Sequence, residues 1–248
     1  MKDSPYEALS LELKTSSGRT LVFADPHIAF ELSRGLRVRT KFEKSLAEFI
    51  KEKDPNLVII LGDVKEPLGI SAFVKKLLVE FFSEIEEYSI VITKGNHDGK
   101  IEEVTKEFKN VNVVSHFLLD DMLFLHGHQN LPEVEFEKAF LGHIHPAISL
   151  KLGGNVKKVK CFFRVGSFLI LPTINPYIEG FDVREGIKMV PFLRDSSSGE
   201  AFLGDGTYIG KVELDTVRIS CGVSGLSYWQ YFRKRRGNMK SETIIYWV

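Results

Sequence analysis

The sequence predicts an α/β (α+β) fold in which two facing mixed sheets carry helices on their outer sides. Three observations predict it. Apolar runs of strand length alternate with amphipathic helical stretches as far as Asn110, the order expected of parallel strands joined by crossover helices. After Asn110 the chain breaks into short strands separated by polar residues. The run Leu57-Val58-Ile59-Ile60-Leu61 is apolar at every position, which suits a strand buried on both faces.

Taken in order, Leu9 to Leu13 alternates apolar and polar residues and reads as an edge strand. Ser16-Ser17-Gly18-Arg19 turns the chain into a second strand, Thr20 to Ala24. Thr40 and Glu43 have the spacing of a capping box. The helix they would start, residues 40–53, sets Phe42, Leu46, Phe49 and Ile50 on one face and stops before Pro55. Strand 57–61 follows. Ile70, Phe73, Val74, Leu77, Leu78, Phe81, Phe82 and Ile85 then mark a strongly amphipathic helix over 70–87. Strand 89–93 comes next, then a shorter helix with Ile101, Val104 and Phe108 on one face. Beyond it lie short strands at 111–114, 117–119 and 122–125, and a hairpin, 147–152 with 156–165, turning at Gly153-Gly154-Asn155. Residues 186–248 read as β-rich with long loops, least structured over 194–200.

The chain has 248 residues, and we expect one domain over all of them: a motif-bearing core at about 9–185 and a C-terminal extension at about 186–248. Formal net charge is zero, so no global field attracts nucleic acid or an anionic surface. Two cysteines, Cys161 and Cys221, make neither a disulfide framework nor a structural zinc site; both are expected to be reduced and buried. The first residues hold no apolar signal core and no run is long enough to span a bilayer. The expected compartment is therefore the cytoplasm, with no membrane partner. Oligomeric state is not legible.

The chemistry sits where the apolar strands end. Strand 20–24 delivers Asp25-Pro26-His27, strand 57–61 delivers Gly62-Asp63, and strand 89–93 delivers Gly95-Asn96-His97-Asp98. His126-Gly127-His128 and Gly142-His143-Ile144-His145 follow. Ligands in open α/β sheets bind outside the carboxyl ends of strands. Six of the seven histidines fall in these motifs; only His116 stands outside, and it reads as an ordinary surface or core residue. Hydrolysis of a phosphate ester needs a nucleophile and neutralised phosphoryl oxygens, which two divalent ions roughly 3.5–4 Å apart supply. A carboxylate on the central strand can hold both ions, so Asp63 is the candidate bridge. Imidazole and oxygen donors without thiolate suit manganese, iron, nickel or zinc.

The order D-x-H, G-D, G-N-H-D, H-G-H, G-H-x-H resembles that of the calcineurin-like metallophosphoesterases. The resemblance implies a four-layer α-β-β-α sandwich and a hydrolase that cleaves phosphodiester or phosphomonoester bonds with a metal-activated hydroxide. It implies two divalent ions, manganese first. Asp25, His27, Asp63 and His145 would hold one ion; Asp63, Asn96, His126 and His143 the other. His97 would touch neither ion and would serve the transition state or the leaving oxygen, with Asp98 orienting its ring. His128 would lie beside the ligands or contact the phosphate. A finer resemblance, to the ICC-like phosphoesterases, rests on Gly62-Asp63-Val64-Lys65, on Leu171-Pro172-Thr173-Ile174-Asn175-Pro176, and on Gly180-Phe181-Asp182-Val183. Two departures stand out. Glu66 occupies a place where many members carry a second Asp, and a shifted hydrogen bond is expected there. Pro26 stiffens the first turn without removing a ligand.

The substrate stays open between nucleic acid, DNA or RNA, and a small nucleotide; a non-catalytic scaffold is the third alternative. Arg34, Arg37 and Arg39 have the chemistry to grip a phosphate, with Arg39 the expected substrate contact, or they form a solvated loop. Lys151, Lys157, Lys158, Lys160 and Arg164 flank the hairpin and either track a nucleic-acid backbone or guard a sheet edge. Arg233-Lys234-Arg235-Arg236 reads as a solvated face.

Overall fold

A computed structural model describes residues 4–36, 38–152 and 154–214. Arg37, Gly153, Cys221 and the run Arg233–Arg236 lie outside the described residues, as does most of the proposed C-terminal extension.

The first sheet holds β1 (Leu11–Thr15), β2 (Gly18–Ala24), β3 (Leu57–Leu61), β4 (Ser89–Thr93) and β5 (Val111–Val114) in sequence order. β1 pairs antiparallel with β2, and the rest are parallel. All five residues of β3 are buried, and the side chains divide by the period of two that a strand imposes. Val58 and Ile60 join the core beneath helices Phe42–Lys53 and Ala72–Glu84, with Leu46, Phe49, Leu77 and Phe81. Ile59 and Leu61 face the other way, against Phe124, Phe140, Phe162 and Leu169 of the second sheet.

The second sheet is built from β6 (His116–Leu119), β7 (Met122–Leu125), β8 (Lys138–Leu141), β11 (Phe162–Val165), β12 (Phe168–Ile170), β14 (Ser198–Phe202) and β15 (Tyr208–Glu213), in the order β15-β14-β11-β12-β8-β7-β6. A small third sheet sets β9 (Pro146–Leu152) between β10 (Asn155–Lys160) and β13 (Phe181–Asp182). The outer face of the second sheet is covered by Val183 and Ile187 from the short helical segments after β13 and by Val190 and Leu193 from the turn that follows them. Helices, sheet, sheet and helical segments therefore stack as the α-β-β-α sandwich.

The second sheet is mixed, as expected: β7 and β8 pair in parallel, as do β8 and β12, while β6 and β7, β11 and β12, β11 and β14, and β14 and β15 pair antiparallel. Several expectations need correction. The second arm of the hairpin ends at Lys160, and residues 162–165 enter the large sheet instead. Strands 138–141 and 168–170 are too short to show an alternation and were not expected. Thr40 and Glu43 form no capping box. The N-cap is Lys41, in left-handed geometry and without a side-chain cap, because Glu43 is buried and paired with Arg39 at 2.9 Å. The second helix is capped by Ser71, whose hydroxyl accepts from Val74 N at 3.2 Å; Phe73, placed on its apolar stripe, is 43% exposed.

Candidate metal centre

Each motif follows a strand, so sheet geometry alone brings five loops together. β2, β3 and β4 contribute Asp25, His27, Asp63, Asn96 and His97 from the first sheet. β7 and β8 contribute His126, His128, His143 and His145 from the second. The turns are tight: Asp25, His27, Asp63, His143 and His145 all have positive φ, between 44° and 75°. Such geometry is uncommon outside glycine and concentrates at functional sites, held there by the surroundings. Two glycines of the motifs are required by space. A Cβ on Gly95 would stand 2.2 Å from Asp63 Oδ1, and one on Gly62, which has φ 73°, would stand 2.4 Å from His126 Nδ1.

The side chains form three groups whose donor atoms converge, Asp25 with His27 and His145, His27 with Glu66 and His97, and Asp63 with His126 and His143. His27 Nε2 and His145 Nε2 are 2.9 Å apart. His126 Nε2 lies 3.1 Å from Asn96 Oδ1 and 3.4 Å from Asp63 Oδ2. His126 Nδ1 donates to Leu61 O at 2.9 Å, a contact that fixes the ring and leaves the Nε2 lone pair to face a metal ion. The His143 amide donates to both oxygens of Asp25, at 3.1 and 2.9 Å.

Electrostatics show what this arrangement lacks. Asp25 and Asp63 are buried, and among the described residues neither pairs with a Lys or Arg; only histidines face them. Burial pushes the Asp25 carboxyl up to about 7, with Asp63 adding to the rise and His126 opposing it. Burial would also raise Asp63, but the His126 ring holds it below the usual carboxylate range. His126, against the effect of its own burial, is drawn up to about 9 by Asp63 and Asp25. Burial and the charge of His126 drive His143 down to about 4. His145 is likewise lowered, by burial and then by His27. Two buried carboxylates amid imidazoles, some of which burial keeps neutral, suit a divalent cation. The residues fit such ions.

His97 and its neighbours lie beside the first group. Its amide donates to Asp63 Oδ1 at 2.8 Å. Its Nδ1 meets the Glu66 carbonyl at 2.7 Å, which can only accept, so Nδ1 carries the proton and Nε2 is left free to act. Asp98 does not orient this ring. Its buried carboxylate accepts from Val64 N at 2.8 Å and Gly95 N at 2.9 Å and so ties the second and third motifs together. The Glu66 carboxylate lies 2.7 Å from His27 Nδ1, close but out of line for a hydrogen bond, and 3.7 Å from His97 Nδ1. The extra methylene of Glu over Asp carries it between the two rings. Lys65, to which sequence reasoning gives no role, is fully buried. Its ammonium donates to Pro67 O at 2.6 Å, Leu68 O at 3.1 Å and the His97 carbonyl.

The expected substrate contacts divide. His128 lines a groove of about 310 Å³ with Lys94, Gly95, Ser115 and Gln129. An adjoining hollow of about 230 Å³ adds His116, His126 and Asn130. His116 thus lies nearer the centre than its lone position in the sequence suggests. Arg39 is held away from it by Glu43 and Glu80 on the two helices. Lys160, read as tracking nucleic acid or guarding a sheet edge, is mostly buried, and its ammonium donates to Thr173 O at 3.0 Å and Asn175 O at 2.5 Å. Lys157 and Lys158 are exposed.

A family model described as calcineurin-like phosphoesterase matches residues 18–160, which include every motif above. Among solved structures, the crystal structure of the nuclease MPE from Pseudomonas putida is similar at TM-score 0.57 and 18% sequence identity, over 79% of this chain and 96% of that one. Yfce, a phosphoesterase from E. coli, aligns at TM-score 0.40 and 16% identity, over 79% of this chain and 99% of that one. No curated protein matches the sequence.

Proposed function

The chain belongs to the calcineurin-like phosphoesterase family, and from that premise we propose that it is a dinuclear metal-dependent phosphoesterase. Asp25, His27, Asp63 and His145 would hold one ion, and Asp63, Asn96, His126 and His143 the other. The observation that carries this reading is the buried pair Asp25 and Asp63, ringed by imidazoles and without a Lys or Arg partner among the described residues. Divalent ions bound there, manganese first, would neutralise phosphoryl oxygens and lower the pKa of a bound water.

The chain's own residues supply the rest. His97, whose Nδ1–H donates to the Glu66 carbonyl, would as the imidazolium give its second proton, on Nε2, to the leaving oxygen and be left as the neutral ring. His128 and the groove beside it receive the group esterified to the phosphate. That groove is polar, and its one lining cation, Lys94, is paired with Glu102. A single polar substituent, such as a nucleoside, suits it better than a long polyanion. The second reading, a nuclease, draws on exposed Lys157 and Lys158 beyond the last motif and on the fold shared with the Pseudomonas putida nuclease.

The deciding experiment compares a model monoester, a model diester, a nucleotide ester and single- and double-stranded DNA, each with manganese, nickel, zinc and magnesium. Metal-dependent turnover of any ester supports the proposal, and the preferred one separates the two readings. A purified protein that binds no divalent metal and cleaves none of these esters would sink it and leave the scaffold alternative.

A further inference from the structure

The stretch Leu171–Pro176 is singled out in the sequence, yet it supplies none of the ligands above. In the structure it lies behind the first ligand turn, 148 positions away in sequence. Three successive carbonyls of that turn accept hydrogen bonds from it. Ile174 N donates to Ala24 O at 2.9 Å, Thr173 Oγ1 to Asp25 O at 2.7 Å, and Asn175 Nδ2 to Pro26 O at 2.9 Å. Asn175 Nδ2 also lies 3.4 Å from His27 O. Thr173 and Asn175 are 0% and 1% exposed. The Lys160 ammonium completes the arrangement by donating to the carbonyls of both.

The turn needs such support. Asp25 has φ 52° and His27 φ 46°, a region that L-residues avoid and that persists only when neighbours over-determine it. Pro26 has no N–H, so the middle of the turn cannot brace itself through a donor. On its other side, His27 N and Ile28 N bond Asp63 O and Val64 O at 2.9 and 2.8 Å, which links the turn to the G-D motif. A hydroxyl, an amide and an ammonium are thus buried together, and each donates to main-chain carbonyls of the ligand turn or of the segment gripping it.

We propose that Thr173 and Asn175, braced by Lys160, are positioning residues that hold Asp25 and His27 in their metal-binding conformation and thereby set the affinity of the ion these two would share. The proposal rests on the assignment of Asp25 and His27 as ligands. It gives a role to a stretch the ligand set leaves unexplained, and it removes Lys160 from any nucleic-acid surface.

The test is a manganese titration of the full chain, followed by calorimetry or by the spin resonance of free ion, with thermal unfolding alongside. Thr173→Val keeps the shape and deletes the hydroxyl; Thr173→Ser keeps the hydroxyl. Thr173→Val should weaken one of two manganese sites by roughly 10–100-fold, the usual effect of losing an outer contact to a metal site. The other site should change much less, and Thr173→Ser should bind like the parent. Lys160→Met should shift the same site in the same direction, and it decides the matter if Thr173→Val does not fold. Unchanged affinity in the folded variants, or equal loss in Thr173→Val and Thr173→Ser, would overturn the positioning role. Asp25→Asn is the control for the underlying assignment: if it leaves both manganese sites intact, the ligand reading itself fails.

Discussion

Asp63 and His97 are joined by one short hydrogen bond, from the His97 amide to Asp63 Oδ1, and yet they are assigned different work. The bond is made by the backbone, so His97→Ala leaves it in place and also leaves every proposed ligand. Both ions should remain bound, while turnover drops by roughly 10²–10⁴-fold, the range for loss of a positioned proton donor. The loss should be larger for an ester with a poor leaving group, which needs more help from an acid. Asp63→Asn keeps the size but removes the charge that would bridge the ions, so metal content and activity should fall together. Elemental analysis with a paired kinetic series decides this; metal loss in His97→Ala as complete as in Asp63→Asn would end the division of labour. At this scale the side chains that converge were legible, because each motif sits at the end of an apolar run. The contacts behind them were not. Glu66 on His27, and Asp98 on Val64 and Gly95, depend on how loops cross in space, which local pattern does not encode.

At the scale of elements, strands were read best where a buried face makes them unambiguous. β3 and β4 occupy the residues expected, since every side chain of β3 and all but the first of β4 are buried. In the second sheet the strands at 116–119 and 122–125 were read, set off by the polar residues between them, whereas 138–141 and 168–170 were missed and 162–165 was merged into the hairpin, because so short a run shows no period. Pro55 placed the end of the first helix correctly, at Lys53, but its start was read less well. The Thr40–Glu43 spacing was right for a capping box, but Arg39 and Glu31 claim the side chains it needs. The hairpin β9–β10 brings a prediction that follows from its correction. Lys157 and Lys158 are exposed while Lys160 is turned inward, so only the first two remain available to a polyanion. If the substrate is nucleic acid, joint replacement of Lys157 and Lys158 by Ala should weaken DNA binding and lower its salt slope by about 2, near 0.9 per phosphate contact. Hydrolysis of a small diester should be unaffected. Equal DNA affinity at every salt concentration would return both lysines to guarding the edge of the sheet.

For the molecule as a whole, the centre is a seam between the two sheets, since each proposed ion takes side chains from both. Without metal, the charges at this seam must be balanced by protons, and stability should depend on pH accordingly. His126, held up to about 9 in the folded state, contributes stability that is full below its unfolded value near 6.5 and is lost as pH rises through 9. Asp25, raised to about 7, also binds its proton more tightly when folded and adds to the decline below pH 7. Lys160, lowered to about 8 by burial, opposes the trend only above that value. Metal-free protein should therefore lose thermal stability between pH 6.5 and 8. Saturating manganese should remove the slope, because a ligating imidazole carries no proton on the atom that binds. Unfolding temperatures measured with and without metal across that window check it, and a flat metal-free curve would contradict the pairing of His126 with Asp63.

The long reach from Thr173 and Asn175 back to the Asp25 turn also has a meaning in time. Synthesis delivers the chain from its N-terminus, and the first sheet is complete once Val114 has emerged. At that stage Asp25, His27, Asp63 and Asn96 exist, but His126, His143 and His145 do not. The residues that grip the first turn come later still. A growing chain thus carries four of the seven proposed ligands before the second sheet, against which the first packs, has been made. If the proposed ligands and the residues that grip them hold an ion, its selective capture waits until the polypeptide has run some thirty residues past its last histidine.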